Sequence, residues 1–471
     1  MDSRFFIKKS ACCATLLGAV YHLSAVSGNE PARPNFLIIM TDDMGYADVA
    51  CYGGVAETPR IDRLAKEGLR FTDFYCGAPN SSPSRTAMLT GRTPARCGVY
   101  DWVPPNGPMC LPVSEITIAR LLKQGGYRTG HFGKWHLAQW TSNGNMLGPN
   151  PDEHGYDYWF GCDNNAVPSH LNPTNYHRNG KRVGTLEGYA CDLVVTETID
   201  WLQSKDAVSS PFFVTVWFNE PHTKIASPPE LVEKYLGRGF DQNKAEYLAN
   251  LENMDRAVGK LLDALDAKGF RDNTLVLFTS DNGPIPLGSA EPLRARKSSI
   301  YDGGIRVPGI VRLPGRVKAD TETNTPAGFV DLLPTFCDLA GVALPMDRTL
   351  DGTSIRPLLE GKKIERDKPL FWFFYKSDPM CAIRDGDYKL CASAVPHFFS
   401  KSHPFDQTDY DFIKSAPMTR FELYDLKNDI GEKIDLASKQ PEIRDRLKGK
   451  LLKIHAEVIA EGRSWEGLPK E

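Results

Sequence analysis

The sequence is poor in the features that mark several specialised classes of protein. Its 471 residues include 11 cysteines but no Cys-x-x-Cys pair, which argues against a small disulfide scaffold and a zinc-binding cysteine array. Internal repeats and low-complexity tracts are also absent, which excludes solenoid, collagen-like and wholly disordered chains. Lysine and arginine number 56 against 59 aspartates and glutamates, so bulk positive charge cannot drive binding to nucleic acid. An ordinary globular protein remains, with one large and one smaller domain or with two to three domains.

Long hydrophobic runs are absent too, apart from one short run at the N-terminus. Basic residues precede the apolar residues 11–20, and small residues suited to a cleavage site follow at 25–27. Because the run is too short to span a bilayer, we predict a signal peptide over residues 1–27. Its removal takes away Cys12 and Cys13 and leaves nine cysteines. We expect an exported protein, periplasmic or secreted, with no stable membrane anchor.

Most of the chain alternates β-rich runs with helical patterns, which predicts an α/β fold with a large, mainly parallel sheet between helices. The predicted strands are 35–40, 127–132, 212–218 and 274–279, and the predicted helices are 117–124, 192–203 and 246–266. Near-continuous apolar character in these strands indicates that both faces of the sheet are covered.

The character of the sequence changes near residue 360. Aromatic runs such as 371–375 and turn sequences such as 384–390 predict an antiparallel sheet, and a last helix is predicted over 441–461. We therefore expect a main domain over residues 28–360 and a smaller C-terminal α+β subdomain over residues 361–471.

Polar side chains follow each of the four predicted strands. In chain order these are Asp42 and Asp43, then Lys134 and His136, then His222, then Asp281 and Asn282. Ligands collect beyond the carboxyl ends of parallel strands, so four such coincidences indicate one site. The carboxylates and the amide offer only oxygen ligands, which Ca²⁺ and Mg²⁺ prefer. For either pair taken alone, a turn or a helix cap is the simpler interpretation.

A further feature is the segment 81–92 (SSPSRTAMLTGR). Ser82 can cap a helix whose first residue is Pro83, which places Ser81 just before a helix N-terminus, where free N–H groups attract anions. Arg85, one turn later, can donate two hydrogen bonds to the same anion. A hydroxyl, an arginine and a cation site suit attack on a tetrahedral oxyanion ester, whereas a capped surface helix is the alternative.

These residues resemble the hallmark of the type I sulfatases, the formylglycine-dependent members of the alkaline phosphatase superfamily. In that family Cys or Ser is followed by any residue, Pro, Ser and Arg, and then by a short spacer ending Thr-Gly-Arg, as in residues 81–85 and 89–92 here. The similarity covers nearly the whole mature chain, including residues 297–312, where Asp302 replaces the Glu of many relatives. It implies an alkaline phosphatase-like fold and hydrolysis of a sulfate ester.

The resemblance also implies roles for individual residues. A formylglycine-generating enzyme would oxidise Ser81 to formylglycine (3-oxoalanine), whose hydrate has one hydroxyl to attack sulfur and another to expel sulfate. The implied ligands of the cation, Ca²⁺ in preference to Mg²⁺, are Asp42, Asp43, Asp281, Asn282 and the modified residue 81. The other implied roles are stabilisation of formylglycine by Arg85, binding of sulfate oxygens by Lys134 and Lys297, support of the hydrated aldehyde by His136, and protonation of the leaving alcohol by His222.

Serine at position 81, in place of the commoner cysteine, leaves alternatives open. A native serine-type sulfatase and a Cys→Ser substitution that traps substrate would have the same sequence here. Unmodified Ser81 would suit a phosphatase or phosphodiesterase of the same superfamily, although Asp281-Asn282-Gly283 lacks the histidine of a second metal site. An inactive protein that binds sulfated glycans and a purely structural exported protein are the remaining alternatives.

Export and a polar, aromatic loop over residues 164–180 favour a sulfated carbohydrate as substrate. The candidate sugar contacts are Trp102, Trp135, His170, Asn172, His177 and Arg178, for which ordinary packing is the alternative. Among the type I sulfatases the chain is similar to the N-acetylgalactosamine-6-sulfatase and arylsulfatase A groups. That similarity implies a sulfate ester of galactose or N-acetylgalactosamine.

Overall fold

The structure, a computed structural model, describes residues 33–204, 210–394 and 405–465. The predicted signal peptide lies outside these residues. From Arg33 onward the chain forms one compact unit. Within the described ranges, no helix is both long enough and apolar enough to cross a bilayer.

In the described residues, seventeen strands form one large sheet, one four-stranded sheet and one short hairpin. In the large sheet they are β1 (Asn35–Thr41), β2 (Leu69–Tyr75), β3 (Arg128–Lys134), β6 (Tyr158–Cys162), β7 (His177–Arg178), β8 (Lys181–Arg182), β9 (Phe212–Trp217), β10 (Thr274–Ser280), β11 (Arg306–Arg312), β12 (Thr321–Thr323) and β13 (Ala327–Gly328). The hairpin is β4 (Gln139–Trp140) and β5 (Met146–Gly148), and the small sheet is β14 (Leu370–Phe373), β15 (Cys381–Asp385), β16 (Tyr388–Ala394) and β17 (Met418–Asp425).

The described helices cover both faces of the large sheet and one side of the small one. They are α1 (Pro59–Lys66), α2 (Ser81–Thr90), α3 (Ile118–Gln124), α4 (Ala190–Gln203), α5 (Pro229–Gly237), α6 (Gln242–Ala267), α7 (Asp302–Ile305), α8 (Leu332–Ala340), α9 (Arg356–Leu359), α10 (Gln407–Ser415) and α11 (Pro441–Glu461).

The centre of the large sheet is parallel, in the order β10-β1-β9-β3-β6, and both of its margins contain antiparallel pairs. Alternate residues of β1 pack into different cores, because side chains alternate across a strand. Ile38 packs with α2, α3 and α8, whereas Leu37 and Ile39 pack with α1, α4 and α6. The predicted fold class and the cover on both faces of the central strands are confirmed.

The small sheet is antiparallel throughout, in the order β14-β15-β16-β17, as the aromatic runs predicted. Leu447, Leu451 and Val458 lie on one face of α11, and they pack against the sheet in a core of their own. The predicted bounds of this last helix are those of the structure.

Six buried charged residues lie where the small sheet meets the large one, and we call them the interface cluster. They are Asp73, Asp302, Arg306, Arg384, Lys389 and Glu432. The ammonium of Lys389 contacts Oδ1 of Asp302 at 2.7 Å and Oε1 of Glu432 at 2.8 Å. Asp302, which stands where many relatives have Glu, begins α7. Its carboxylate lies closer to Lys389 than that of Glu432 does, so the shorter side chain still reaches the ammonium.

No disulfide joins the nine cysteines of the described chain. Eight are buried and Cys51 is partly exposed. Burial raises the pKa of all nine thiols, that of Cys110 to about 11 and that of Cys162 to about 12.

Candidate active site

The polar residues that follow the parallel strands converge at one edge of the sheet. The parallel register pairs Thr41 with Ser280 and Gly133 with Trp217, so β1, β3, β9 and β10 end side by side. Convergence follows from this register, because each functional side chain lies within a few residues of a strand end.

Three buried carboxylates, those of Asp42, Asp43 and Asp281, offer oxygen atoms that lie within 4.8 Å of one another. The amide of Asn282 donates to Oδ1 of Asp43 at 2.7 Å and to the carbonyl of Gly283 at 2.9 Å. Its own Oδ1 is buried and has no hydrogen-bond partner in the described segments of the chain. A set of three carboxylates and one unpartnered amide oxygen fits the predicted hard cation, which prefers oxygen ligands.

Two lysines contact these carboxylates from the cavity side. Nζ of Lys134 lies 2.7 Å from Oδ2 of Asp42, and Nζ of Lys297 lies 2.5 Å from Oδ2 of Asp43. Burial favours the neutral acids, but Lys134 and His222 hold the pKa of Asp42 below its ordinary value, and Lys297 and His222 do the same for Asp43. Asp42 and Asp43 therefore favour their ionised forms despite burial.

Arg85 lies behind the carboxylates and is fully buried. Its Nε and one terminal nitrogen donate to Oδ2 of Asp281 at 3.2 and 2.8 Å, and the other terminal nitrogen donates to the carbonyl of Lys134 at 3.1 Å. The guanidinium also packs 5.0 Å from the centre of the Trp217 ring. In this structure it orients Asp281 and does not line the cavity. Together with the three carboxylates and the two lysines, Arg85 completes what we call the site cluster.

Ser81 is the first residue of α2, which begins two residues earlier than the sequence predicted. Asn80, and not Ser82, occupies the capping position. Oγ of Ser82 instead accepts a hydrogen bond from the N–H of Val103 at 2.9 Å, so its hydroxyl is not available to cap the helix. Oγ of Ser81 donates to Oδ1 of Asp42 at 3.3 Å, which places the predicted nucleophile position beside the carboxylates.

His136 is buried at the same cavity as a neutral imidazole. Its Nε2 contacts the carbonyl of Val103 at 3.1 Å, which requires the proton on Nε2. Nδ1 is buried and has no hydrogen-bond partner among the residues that the structure describes. Burial, Lys134 and Arg85 lower the pKa of His136 well below its ordinary value. Within the described part of the chain, Nδ1 is therefore a hydrogen-bond acceptor without a donor.

His222 is the most exposed of the predicted acid–base groups, with a fifth of its side chain accessible. Nδ1 donates to the carbonyl of Thr223 at 2.8 Å, and Nε2 lies 3.3 Å from Oδ2 of Asp43. This arrangement directs Nε2 toward the site cluster.

One cavity of about 290 Å³ joins these groups. Of the residues singled out in the sequence, it is lined by Ser81, Trp102, Lys134, His136, His222 and Lys297. Sequence reasoning missed the other lining residues, which are Asn80, Asp101, Asn164, Ser298, Phe374 and Lys376. Asn164 begins the loop 164–180, Phe374 lies in the aromatic run 371–375 and Ser298 follows Lys297, so the sequence singled out their segments but not the residues. Asn80 adjoins the hallmark and Lys376 adjoins the aromatic run.

Five of the six candidate sugar contacts lie outside the lining of this cavity. Trp135 is buried and stacks with Trp217, and His170 is buried and within 3.2 Å of the Asn250 amide. Oδ1 of Asn172 accepts from the N–H of Gly188 at 2.8 Å.

The remaining two candidates lie on β7, at the margin of the large sheet. His177 packs near Trp159, and Arg178 makes two hydrogen bonds of 2.6 Å to Glu197. Of the six candidates, the structure brings only Trp102 to the lining of the cavity.

Comparisons with known proteins agree with this geometry. A family model described as "Sulfatase" matches residues 34–342, and one described as "N-sulphoglucosamine sulphohydrolase, C-terminal" matches residues 295–457. Arylsulfatase A of Homo sapiens is 35% identical over 475 residues, covering 90% of this chain and 89% of that protein. N-acetylgalactosamine-6-sulfatase of Rattus norvegicus is 33% identical over 405 residues, covering 79% of this chain and 74% of that protein.

Solved structures include Ps i-CgsB, with a TM-score of 0.79 and 27% identity over 92% of this chain and 94% of that one. Its complex with k-i-k-neocarrahexaose has a TM-score of 0.79 and 28% identity, covering 93% of this chain and 95% of that one.

Proposed function

The chain belongs to the sulfatase family and is a sulfuric ester hydrolase, and we propose that it hydrolyses a sulfate ester of a carbohydrate through a formylglycine made from Ser81. The observation that carries this proposal is the cavity in which Ser81, two lysines and two histidines meet a set of oxygen ligands. The ligands of a Ca²⁺ ion, with Mg²⁺ as the less suitable ion, would be Asp42, Asp43, Asp281, Asn282 and the modified residue 81.

Charge on the sulfate group is balanced by fixed cations of the chain. Lys134 and Lys297 each make one hydrogen bond to a carboxylate, which leaves N–H groups on both ammoniums for sulfate oxygens. A bound divalent cation supplies Lewis acidity to the same group. Arg85 contributes by holding Asp281 in place. Donors that are positioned before the reaction stabilise developing charge without reorganisation.

His136 and His222 have different roles in proton transfer. Nδ1 of His136 would accept a hydrogen bond from a hydroxyl group of the hydrated formylglycine, since Nε2 already donates to the carbonyl of Val103. Nε2 of His222 faces the cavity and would carry the proton for the leaving sugar oxygen. The hydrate of formylglycine supplies the second hydroxyl that an unmodified serine lacks.

Two observations support a galactose or N-acetylgalactosamine sulfate as the substrate. Several relatives, at 31–34% identity, are named N-acetylgalactosamine-6-sulfatase, and a structural neighbour with 28% identity was solved with a neocarrahexaose. We further propose that residues 1–27 direct export and that a sulfatase-maturing enzyme acts on Ser81.

Mass spectrometry of the peptide that contains Ser81 tests the mechanism. Active protein purified from its native host is expected to lack two hydrogen atoms at position 81 and to cleave 4-nitrophenyl sulfate. Full activity with an unmodified serine would contradict the formylglycine mechanism. Cleavage of 4-nitrophenyl phosphate in preference to the sulfate would instead favour the phosphatase alternative.

A further inference from the structure

One buried ion pair on the wall of the cavity has no part in the chemistry described above. Nζ of Lys376 lies 2.8 Å from Oδ2 of Asp101, and the two side chains are only 2% and 3% exposed. Both residues line the cavity that holds Ser81. The cavity therefore has a second polar region, separate from the site cluster.

Asp101 holds this pair in a fixed position. Its Oδ1 accepts from the amide of Asn80 at 2.7 Å and from the N–H of Trp102 at 2.8 Å. The hydroxyl of Tyr375 donates to Oδ2 at 3.3 Å. Because Asn80 directly precedes Ser81, these contacts tie the ammonium of Lys376 to the start of the helix that carries the reacting group.

The position of the pair argues for a role in binding. Burying two charges costs more than burying apolar side chains of the same size, so stability alone does not favour the pair at this place. Phe374 and Trp102 border the same space and offer apolar surface. A cavity with aromatic walls and a few fixed polar groups is the usual form of a site for a small ligand.

The charge of the pair indicates which ligand group it would meet. Lys134 and Lys297 already serve the sulfate group, whereas Lys376 is neutralised by a carboxylate at 2.8 Å. A second anionic group of the substrate that contacted Lys376 would also lie close to the carboxylate of Asp101, which would repel it. An uncharged hydroxyl oxygen meets no such repulsion and can accept from the ammonium.

We propose that Lys376 is a specificity-determining residue, whose ammonium donates a hydrogen bond to a free hydroxyl group of the sugar unit that carries the sulfate. This proposal rests on the proposed function and extends it from the sulfate to the sugar. A substrate that carries a second sulfate in place of that hydroxyl is expected to be a poor one.

The test compares a sugar substrate with an aryl sulfate that has no sugar hydroxyl. Lys376→Met is expected to reduce kcat/KM roughly 10- to 100-fold on the best monosaccharide from a panel of 4- and 6-sulfated galactose and N-acetylgalactosamine, mainly through KM. On 4-nitrophenyl sulfate the loss is expected to be only about two- to threefold. The exposed Lys260, which pairs with Asp192, provides the matched control Lys260→Met, expected to leave both rates unchanged.

Because Lys376→Met leaves a buried carboxylate alone, the double variant Lys376→Met/Asp101→Asn is measured beside it and should show the same contrast between substrates. Monosaccharides that lack one hydroxyl at a time then complete a double-mutant cycle. At the sugar position that Lys376 contacts, removal of the hydroxyl should lower kcat/KM of the wild-type enzyme but not that of the Lys376→Met enzyme. An equal loss on sugar and aryl sulfate would show a structural role and overturn the proposal, as would no loss on either.

Binding to Ser81→Ala protein separates this proposal from the proposed function, because it requires no turnover. Calorimetry with the same sulfated monosaccharides should show weaker affinity when Lys376→Met is added to Ser81→Ala. Unchanged affinity would overturn the role of Lys376. A wild-type protein that cleaves no sulfate would count against the proposed function, whatever the calorimetry shows.

Discussion

The site cluster and the interface cluster are built from the same parts, three carboxylates and three basic side chains, drawn from several segments of the chain. They differ in how far the N–H groups of their lysines are used. Lys389 of the interface cluster donates to Asp302 and to the carbonyl of Ile300, and its ammonium also lies 2.8 Å from Oε1 of Glu432. In the described residues, Lys134 and Lys297 of the site cluster each have one side-chain acceptor.

Buried acceptors without a hydrogen-bond partner in the described residues do not show this contrast, because they occur in both regions. Oδ1 of Asn282 and Nδ1 of His136 are such atoms at the site, and Oε1 of Glu432 is one in the interface cluster. Burial and charge alone do not distinguish a functional cluster from a structural one, whereas the number of N–H groups that the lysines leave for a ligand does.

The largest expected effect comes from removing the reacting group. Ser81→Ala should lower kcat/KM for 4-nitrophenyl sulfate by at least about 10⁴-fold, because no hydroxyl or aldehyde remains at position 81. The midpoint of thermal unfolding should change little, since the folded protein loses only the 3.3 Å hydrogen bond to Asp42. Both are measured on the same preparation. Retained activity would show that position 81 is not the nucleophile.

Next in size is the exchange of one lysine in each cluster. Lys389→Met should destabilise the fold by roughly 3–5 kcal/mol in urea unfolding, because it leaves Asp302 and Glu432 without their shared cation. At a temperature where the variant is folded, kcat should be close to that of the wild type. Lys134→Met should do the reverse, with a roughly 10²- to 10³-fold loss of kcat and a smaller loss of stability. Similar losses of stability in both variants would contradict the distinction between the clusters.

Cation binding should raise the thermal midpoint of the protein through the site cluster and not through the interface cluster. With chelator present, the thermal midpoint should fall, and Ca²⁺ at about 100 times its Kd should restore about 2.7 kcal/mol. Mg²⁺ should restore less at equal concentration. In Asn282→Ala the response to Ca²⁺ should weaken, whereas Lys389→Met should respond as the wild type does. A midpoint that is insensitive to both ions would count against a cation site.

The smallest expected effect is a change in the pH dependence of stability. Burial raises the pKa of Glu432 to about 7, whereas Lys389, Arg306 and Arg384 outweigh burial at Asp302 and hold its pKa at about 2. The folded protein thus keeps a proton on Glu432 that the unfolded chain releases near pH 4.5. This contribution is complete below about pH 4.5 and is lost as the pH rises through about 7.

Glu432→Gln carries no charge at any pH and should flatten that part of the curve. The stability of the variant relative to the wild type should rise from pH 5 to pH 8, because only the wild type loses the contribution of the protonated carboxyl. Urea unfolding at both pH values measures the difference. A variant that is less stable than the wild type at pH 8 would show that the ionised carboxylate, and not the acid, supports the interface cluster.

The sequence allowed prediction of those site residues that lie close along the chain to the end of a predicted strand. Asp42, Asp281 and Lys134 each lie at or within one residue of a strand end, so locating the strands also located the residues. The bounds of the predicted strands agree with those of the structure to within one or two residues. The start of α2 was predicted two residues late. The hydroxyl of Ser82, which was expected to cap the helix, instead accepts a hydrogen bond from the N–H of Val103.

Contacts between distant segments could not be predicted. Lys376 lines the cavity because the small sheet packs on the large one, and no local sequence pattern predicts that packing. His170 and Arg178 were misjudged for the complementary reason. A polar side chain in a loop looks available in sequence, but His170 is buried and Arg178 is held by Glu197.

The free thiols of the folded chain have a consequence for its synthesis. In the native state they are chemically inert, because oxidation and disulfide exchange need the thiolate, and burial raises the pKa of every one of them. In the unfolded chain all nine are accessible and titrate near their ordinary pKa. Any disulfide formed at that stage would join two residues that are free thiols in the described native structure. In an oxidising compartment, the yield of native protein therefore depends on how fast the chain buries its thiols compared with how fast they are oxidised.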